Sequence, residues 1–271
     1  MGDQGAEDEP PVNPQGHAVR LGTVGREAAS PVRLSLLGGF QLVIDGEGVV
    51  VPASSQRVLA FLGLHARPQQ RPQVARILWH DMTDQRAIAN LRAALWKLHA
   101  VRERVITVGY DRLSLCVDVG VDVIDVLELA RELLDVAGDT RLGEPAESAE
   151  LLELFSNDVL PNWEDDWVVF ERERVRQMRI HAIEALSMRL RRENRHAEAV
   201  EAGLAAVAAD PLRESAQRVL IEAHLAEGNT VDARRQFDSF SALLSRDLGV
   251  RPSPMLTALI AGRTTGNELA D

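Results

Sequence analysis

The residues best suited to bonding another molecule lie together in one stretch, Asp84-Gln-Arg-Ala-Ile-Ala-Asn-Leu-Arg-Ala-Ala-Leu-Trp-Lys-Leu-His-Ala-Val101. On a helical wheel of about 100° per residue, Ile88, Leu91, Ala94, Leu95, Leu98 and Val101 share one side, which is expected to pack inward. The opposite side carries Arg86, Ala89, Ala93, Trp96, Lys97 and Arg104, with Asn90 and Arg92 flanking it. Small residues let a helix backbone enter the major groove of duplex DNA. Arg and Lys bond guanine or phosphate there, and Asn bonds adenine. Trp96 would either pack on sugars and thymine methyls or sit half-buried against a neighbouring hairpin, and the second is the expectation. Arg112, in a turn, is placed to reach phosphate or a minor groove. Arg57, Arg71 and Arg76 stand near helix starts, where phosphate contacts are common. Each of them also reads as an ordinary surface arginine.

The elements that must hold this helix follow from periodicity. Leu34 and Leu36, then Phe40, Leu42 and Ile44, alternate as strands do. Asp45-Gly46 marks a hairpin turn, and Val49-Val50-Val51 reads as a third strand. Ser54-Ser55 is expected to cap a helix at about 56–66. Arg71-Pro72 opens a second helix, because Pro suits the first helical position. The bonding helix, expected at about 84–103, is the third. Two short strands, 105–108 and 113–117, close the domain as a hairpin. This is a winged helix-turn-helix with an added N-terminal sheet.

Beyond Asp122 the strand signals stop. Helices are expected at 123–137, 145–159, 163–192, 196–209, 212–226, 230–247 and 254–262. Asp210 and Ser253 are candidate N-caps with Pro next in line. Gly228 and Gly249 suit helix C-termini. Trp163 and Trp167, four apart, read as core residues. Setting Ala199 on Ala233 also sets Leu186 on Leu220 and Ala206 on Phe240, an offset of 34 residues. That is the tetratricopeptide period, in which stacked helix pairs bury what no pair can bury alone. The fold class is therefore mainly α with small β, a winged helix followed by an all-α tetratricopeptide-like domain. The expected division is an arm at 1–31, a winged helix at 32–122, a helical domain at 123–262 and a tail at 263–271.

The net charge of −11 is unevenly spread. Residues 32–122 hold 11 Lys and Arg against 8 Asp and Glu, whereas residues 123–271 hold 17 Arg against 28 acids. Attraction to phosphate is local, because exposed charges are screened beyond about 8–10 Å. A modestly basic first domain is thus compatible with a nucleic-acid partner. The single cysteine, Cys116, gives no disulfide framework. No apolar run approaches the roughly 20 residues of a membrane span, and the acidic start is not a signal peptide. A cytoplasmic protein is expected. No HExxH, CxxC, GxSxG or GxxxxGK[ST] pattern is present, so neither an enzyme nor a cofactor is expected. The rival reading is an interaction adaptor whose acidic helices bind a basic partner and whose winged helix reads no sequence.

Several runs resemble a known family. Arg33-Leu-Ser-Leu-Leu-Gly-Gly-Phe-Gln-Leu, Gln56-Arg-Val-Leu-Ala-Phe-Leu, Ala75-Arg-Ile-Leu-Trp79 and Ala89-Asn-Leu-Arg-Ala-Ala-Leu-Trp-Lys-Leu98 are similar to the OmpR-like winged helix of the Streptomyces antibiotic regulatory proteins. Leu160-Pro-Asn-Trp-Glu-Asp-Asp-Trp167, Asp210-Pro-Leu-Arg-Glu214, His224-Leu-Ala-Glu-Gly228 and Leu248-Gly-Val-Arg-Pro-Ser253 resemble the activator domain that follows it. The resemblance spans about residues 32–262. It implies a transcriptional activator of a secondary-metabolite gene cluster. Two copies would bind tandem direct repeats of double-stranded DNA near a promoter's −35 region and recruit RNA polymerase. It also maps the recognition helix onto 84–101 and the wing onto 105–117.

Overall fold

A computed structural model describes residues 30–135 and 145–264, apart from the side chains of 145–147 and 262–264. The arm expected at 1–31 and the tail expected at 263–271 lie almost wholly outside the described residues. Ser30 and Pro31 do not belong to an arm. The Ser30 hydroxyl bonds the Asp118 carbonyl and accepts from Gly120 N, and the Pro31 carbonyl accepts from Asp45 N.

The first half opens with β1 (Val32–Ser35), β2 (Gln41–Ile44) and β3 (Glu47–Gly48). Asp45 and Gly46 both have positive φ, 53° and 85°, as the tight antiparallel turn between β2 and β3 requires. The third strand therefore comes earlier than 49–51. Val49 N still bonds Leu42 O, but Val50 is exposed and Val51 turns inward. α1 (Ala53–Leu64), β4 (Gln69–Gln70), α2 (Arg71–Leu78), α3 (Asp84–Lys97) and the single-turn α4 (Arg102–Val105) follow. β5 (Ile106–Val108) and β6 (Arg112–Leu115) form the hairpin, and β7 (Val119–Val121) returns to the first sheet. The two sheets run β3-β2-β1-β7 and β4-β6-β5. Neither β4 nor β7 is legible in the sequence, being only two or three residues long.

Ser55 is not a cap. It is fully buried inside α1 and donates to the Ala94 carbonyl at 2.9 Å, fixing α1 against α3. Asp122 is a second buried polar anchor in this half. Its carboxylate accepts from Leu36 N (2.9 Å), Leu37 N (3.0 Å) and Val123 N (2.8 Å), joining the end of β1 to the helix that follows β7. Burial pushes the Asp122 carboxyl above its ordinary range, against the pull of those three donors.

The second half is helical: α5 (Asp122–Leu134), α6 (Pro145–Leu154), α7 (Asp166–Arg192), α8 (His196–Ala209), α9 (Glu214–Glu227), α10 (Thr230–Leu248) and α11 (Pro254–Thr264). α7 packs on α8, α8 on α9 and α9 on α10. The 34-residue offset holds in the packing. Ala199, Ala233, Leu186, Leu220, Ala206 and Phe240 are all buried. At Gly203 a Cβ would lie 2.9 Å from the Leu220 Cα, so α8 and α9 approach closely there. Ser253 caps α11 by accepting from Leu256 N at 3.2 Å. Asp210 instead closes α8, and α9 starts only after Arg213.

The helices expected at 145–159 and 163–192 stop and start elsewhere for one reason. The segment 155–163 leaves helical form to pair with the first sheet. Gly38 N bonds Asp158 O, Leu160 N bonds Leu36 O, and Leu37 bridges Val159. Two arginines of α7 hold this segment. Arg172 donates to the carbonyls of Val159 (2.7 Å), Leu160 (2.5 Å) and Trp163 (2.8 Å). The buried Arg179 donates to Phe155 O at 2.6 Å and pairs with Asp158 at 3.0 Å. Trp163 and Trp167 thereby pack into the first half. Trp167 lies edge-on to Phe61 of α1 at 5.4 Å, and Trp163 stacks on Phe40 at 6.3 Å. The N-terminal part of α7 thus shares one core with the winged helix.

Candidate nucleic-acid interface

α3 is amphipathic because its leucines recur at helical spacing. Ala87, Leu91, Ala94, Leu95 and Leu98 are buried, and Ile88 is half-buried. The leucines meet α1 and α2, which fixes the rotation of α3 about its axis. On the outward side Arg86, Ala89, Arg92, Ala93 and Lys97 are exposed, and Asn90 is half-exposed. Arg86 and Arg92 make no ion pair among the described residues. Lys97 Nζ is 3.4 Å from the Ser54 hydroxyl, and Asn90 Nδ2 is 3.0 Å from Met82 Sδ. Helix α3 ends at Lys97, six residues before the expected end. Leu98 to Val101 turn over in tight backbone bonds before α4.

Trp96 is 71% exposed, not half-buried against the hairpin. The hairpin is held by β4, and the indole stacks on His99 of its own turn at 5.7 Å. The hairpin tip is tied to the start of α2, since Arg71 N bonds Asp111 O at 2.8 Å. Arg112 is exposed there and Arg71 is half-exposed. Tyr110, the chain's single tyrosine, is fully exposed at the same tip. Its place in the turn Gly109-Tyr110-Asp111-Arg112 was the available signal, because a turn of that length has no inward position for a ring.

Neighbouring acids are engaged. Asp84 receives a two-pronged bond from Arg76, at 2.9 and 3.1 Å, and Asp45 receives one from Arg104, at 2.5 and 2.8 Å. The Arg104 guanidinium holds the Asp45 carboxyl below its usual range. Arg76 and Arg104 are thus committed inside the chain. Arg57 is placed elsewhere altogether. Its Nη2 donates to Leu78 O and to Asp165 Oδ1, both at 2.5 Å, and its guanidinium lies 5.8 Å from the Trp79 ring centre. It joins α1 to the end of α2 and to the start of α7. A phosphate contact at Arg57 is replaced by this internal tie, because an anion 108 residues away in the chain already occupies the guanidinium.

The described residues contain no group of three or more His, Cys, Asp or Glu that could hold a metal ion, and no helix long and apolar enough to cross a membrane.

Comparison with known proteins matches residues 124–262 to the bacterial transcriptional activator domain. Regulatory protein AfsR of Streptomyces coelicolor is 27% identical over 241 residues, covering 86% of this chain and 24% of AfsR. The solved structure of Mycobacterium tuberculosis EmbR in complex with a low affinity phosphopeptide superposes with a TM-score of 0.68 at 19% identity. That match covers 88% of this chain and 66% of EmbR, and it shows a common fold. The chain thus spans about a quarter of the one relative and about two thirds of the other. With more than half its length in the activator domain and its winged helix ahead of it, the chain belongs to the bacterial transcriptional activator domain family and is of the Streptomyces antibiotic regulatory protein type.

Proposed function

We propose that this chain is a cytoplasmic, sequence-specific DNA-binding activator of transcription in which residues 32–122 read duplex DNA and residues 123–262 form the activating unit. The observation that carries this reading is the outward face of α3. It offers cations at Arg86, Arg92 and Lys97 and an amide at Asn90, with alanines at 89 and 93 that leave the backbone open to a groove. Arg71 and Arg112 flank it as phosphate contacts that set register and carry no sequence information. Trp96 reaches sugars and thymine methyls from the end of the helix. Two copies lie head to tail on direct repeats near a promoter's −35 region, one helical turn apart, and recruit RNA polymerase to a biosynthetic gene cluster.

Selection from a random duplex pool, followed by gel shifts across a salt series, tests this. The reading expects enriched direct repeats about 10–11 base pairs apart and affinity falling with a log–log slope of about −0.9 per phosphate contacted. A pool with no enriched sequence contradicts it.

A further inference from the structure

At the opposite end of α1 from the Ser54 contact, a cleft of about 430 Å³, open to solvent, lies between the two halves. Three separate elements wall it: the loop leaving α1, the side of α5 that carries Ile124, Leu127, Glu128 and Arg131, and α7. Its apolar floor comes from Leu64, Ile124 and Leu127, and Arg67 and Arg131 line it from two different elements. Both arginines are exposed, and neither makes an ion pair among the described residues. Of the two carboxylates in the wall, Glu171 is held by Arg174 at 2.8 Å and faces His65 at 3.9 Å, while Glu128 is exposed on the rim. An apolar floor beside two exposed guanidinium groups without ion pairs fits an anionic head on a compact apolar body, and a carboxylate is the simplest such ligand. Guanidinium forks bind carboxylates with paired, charge-assisted bonds. The volume falls in the range of about 300–1,000 Å³ usual for small-ligand sites.

From this we infer that the chain binds a small apolar carboxylate in this cleft, and that binding is coupled to the hairpin and α2. The coupling path is short. Gln69 lines the cleft and is also a residue of β4, where it pairs with Leu113, and Gln70 pairs with Arg112. Arg71 follows directly and is tied to the hairpin tip. A ligand that draws Arg67 toward Arg131 therefore pulls on the strand that positions Arg71 and Arg112. The cleft stands apart from the DNA reading, whereas the coupling rests on it.

Calorimetric titration of the full chain with octanoate and 1-naphthoate, without DNA, decides the first point. Both are expected to bind with Kd of roughly 0.1–1 mM, a range open to ligands of about ten non-hydrogen atoms. Octanol and inorganic phosphate, which each supply half of the chemistry, are expected to give no heat. Arg67→Ala and Arg131→Ala should each weaken octanoate about tenfold, and Arg131→Glu should abolish binding. Both positions are exposed, so melting temperatures should not move. No heat from either carboxylate in the wild type overturns the site, as does binding that survives Arg131→Glu. Gel shifts at saturating octanoate decide the coupling. DNA affinity should change by at least twofold, and bound DNA should change octanoate affinity by the same factor. An unchanged DNA affinity refutes the coupling. A chain that binds no duplex at all refutes the DNA reading and the coupling with it, while the calorimetric titration still decides the site.

Discussion

Replacing Arg57 with alanine separates two physical roles that the same residue type can play. In the structure Arg57 makes two charge-assisted bonds, to the Leu78 carbonyl at the end of α2 and to Asp165 at the start of α7. Bonds to charged groups contribute about 1.5–3 kcal/mol each when shielded. The Arg57 and Asp165 side chains are 27% and 26% exposed, so solvent screens part of that. The Leu78 carbonyl also loses this partner. A net cost of about 2–3 kcal/mol follows for Arg57→Ala. A double-mutant cycle with Asp165→Ala should return a coupling of about 1 kcal/mol, because the pair acts directly. Urea unfolding followed by tryptophan fluorescence is the assay, since Trp79, Trp163 and Trp167 lie in or beside this junction. Gel shifts on the same variant give the second readout. An internal tie leaves the salt slope of DNA binding where it was, whereas a phosphate contact lowers it by about one unit. Unchanged stability together with a reduced salt slope would refute the placement of Arg57.

Three further outcomes are expected. Leu95→Ala should cost about 2–5 kcal/mol in chemical denaturation, because the residue is 5% exposed and anchors α3 to its domain. Gly203→Ala should destabilise by about 1–2 kcal/mol despite the better helix propensity of alanine, since the added methyl meets Leu220 backbone at 2.9 Å. A gain in melting temperature there would mean that α8 and α9 can part freely. Arg112→Ala should weaken binding to all duplexes alike, and selective loss on A·T-flanked sites would move its contact into the minor groove.

How much of the fold and the site is legible in the sequence depends on range. The side of α3 that turns inward follows from the spacing of Leu91, Leu95 and Leu98, a local signal that survives folding. The 34-residue offset locates the close packing around Ala199 and Ala233 for the same reason. Long-range pairings are not legible. Ser55 has the chemistry of a cap, but its hydroxyl finds the carbonyl of Ala94, 39 residues on. Residues 155–159 and 163 are expected in helices, yet this stretch meets Arg172 and Arg179 through its carbonyls and Leu36 and Gly38 through its backbone. Arg57 looks free in the sequence because nothing nearby in the chain announces Asp165. Trp96 is expected against the hairpin, but the hairpin's position depends on β4, a strand too short to read. The outward face of α3 comes from periodicity. Which of the nearby cations are committed to Asp45 or Asp84, and which are free, is settled only by the three-dimensional arrangement.

The most direct measurement is the affinity of the double variant Arg92→Ala, Lys97→Ala for a duplex selected by the wild-type chain, with melting temperature recorded beside it. Each lost base contact is worth about 1–3 kcal/mol. Binding should therefore fall by at least about tenfold at constant salt, with the melt unchanged because both side chains are exposed. Wild-type affinity in a folded double variant would show that this face of α3 does not meet DNA.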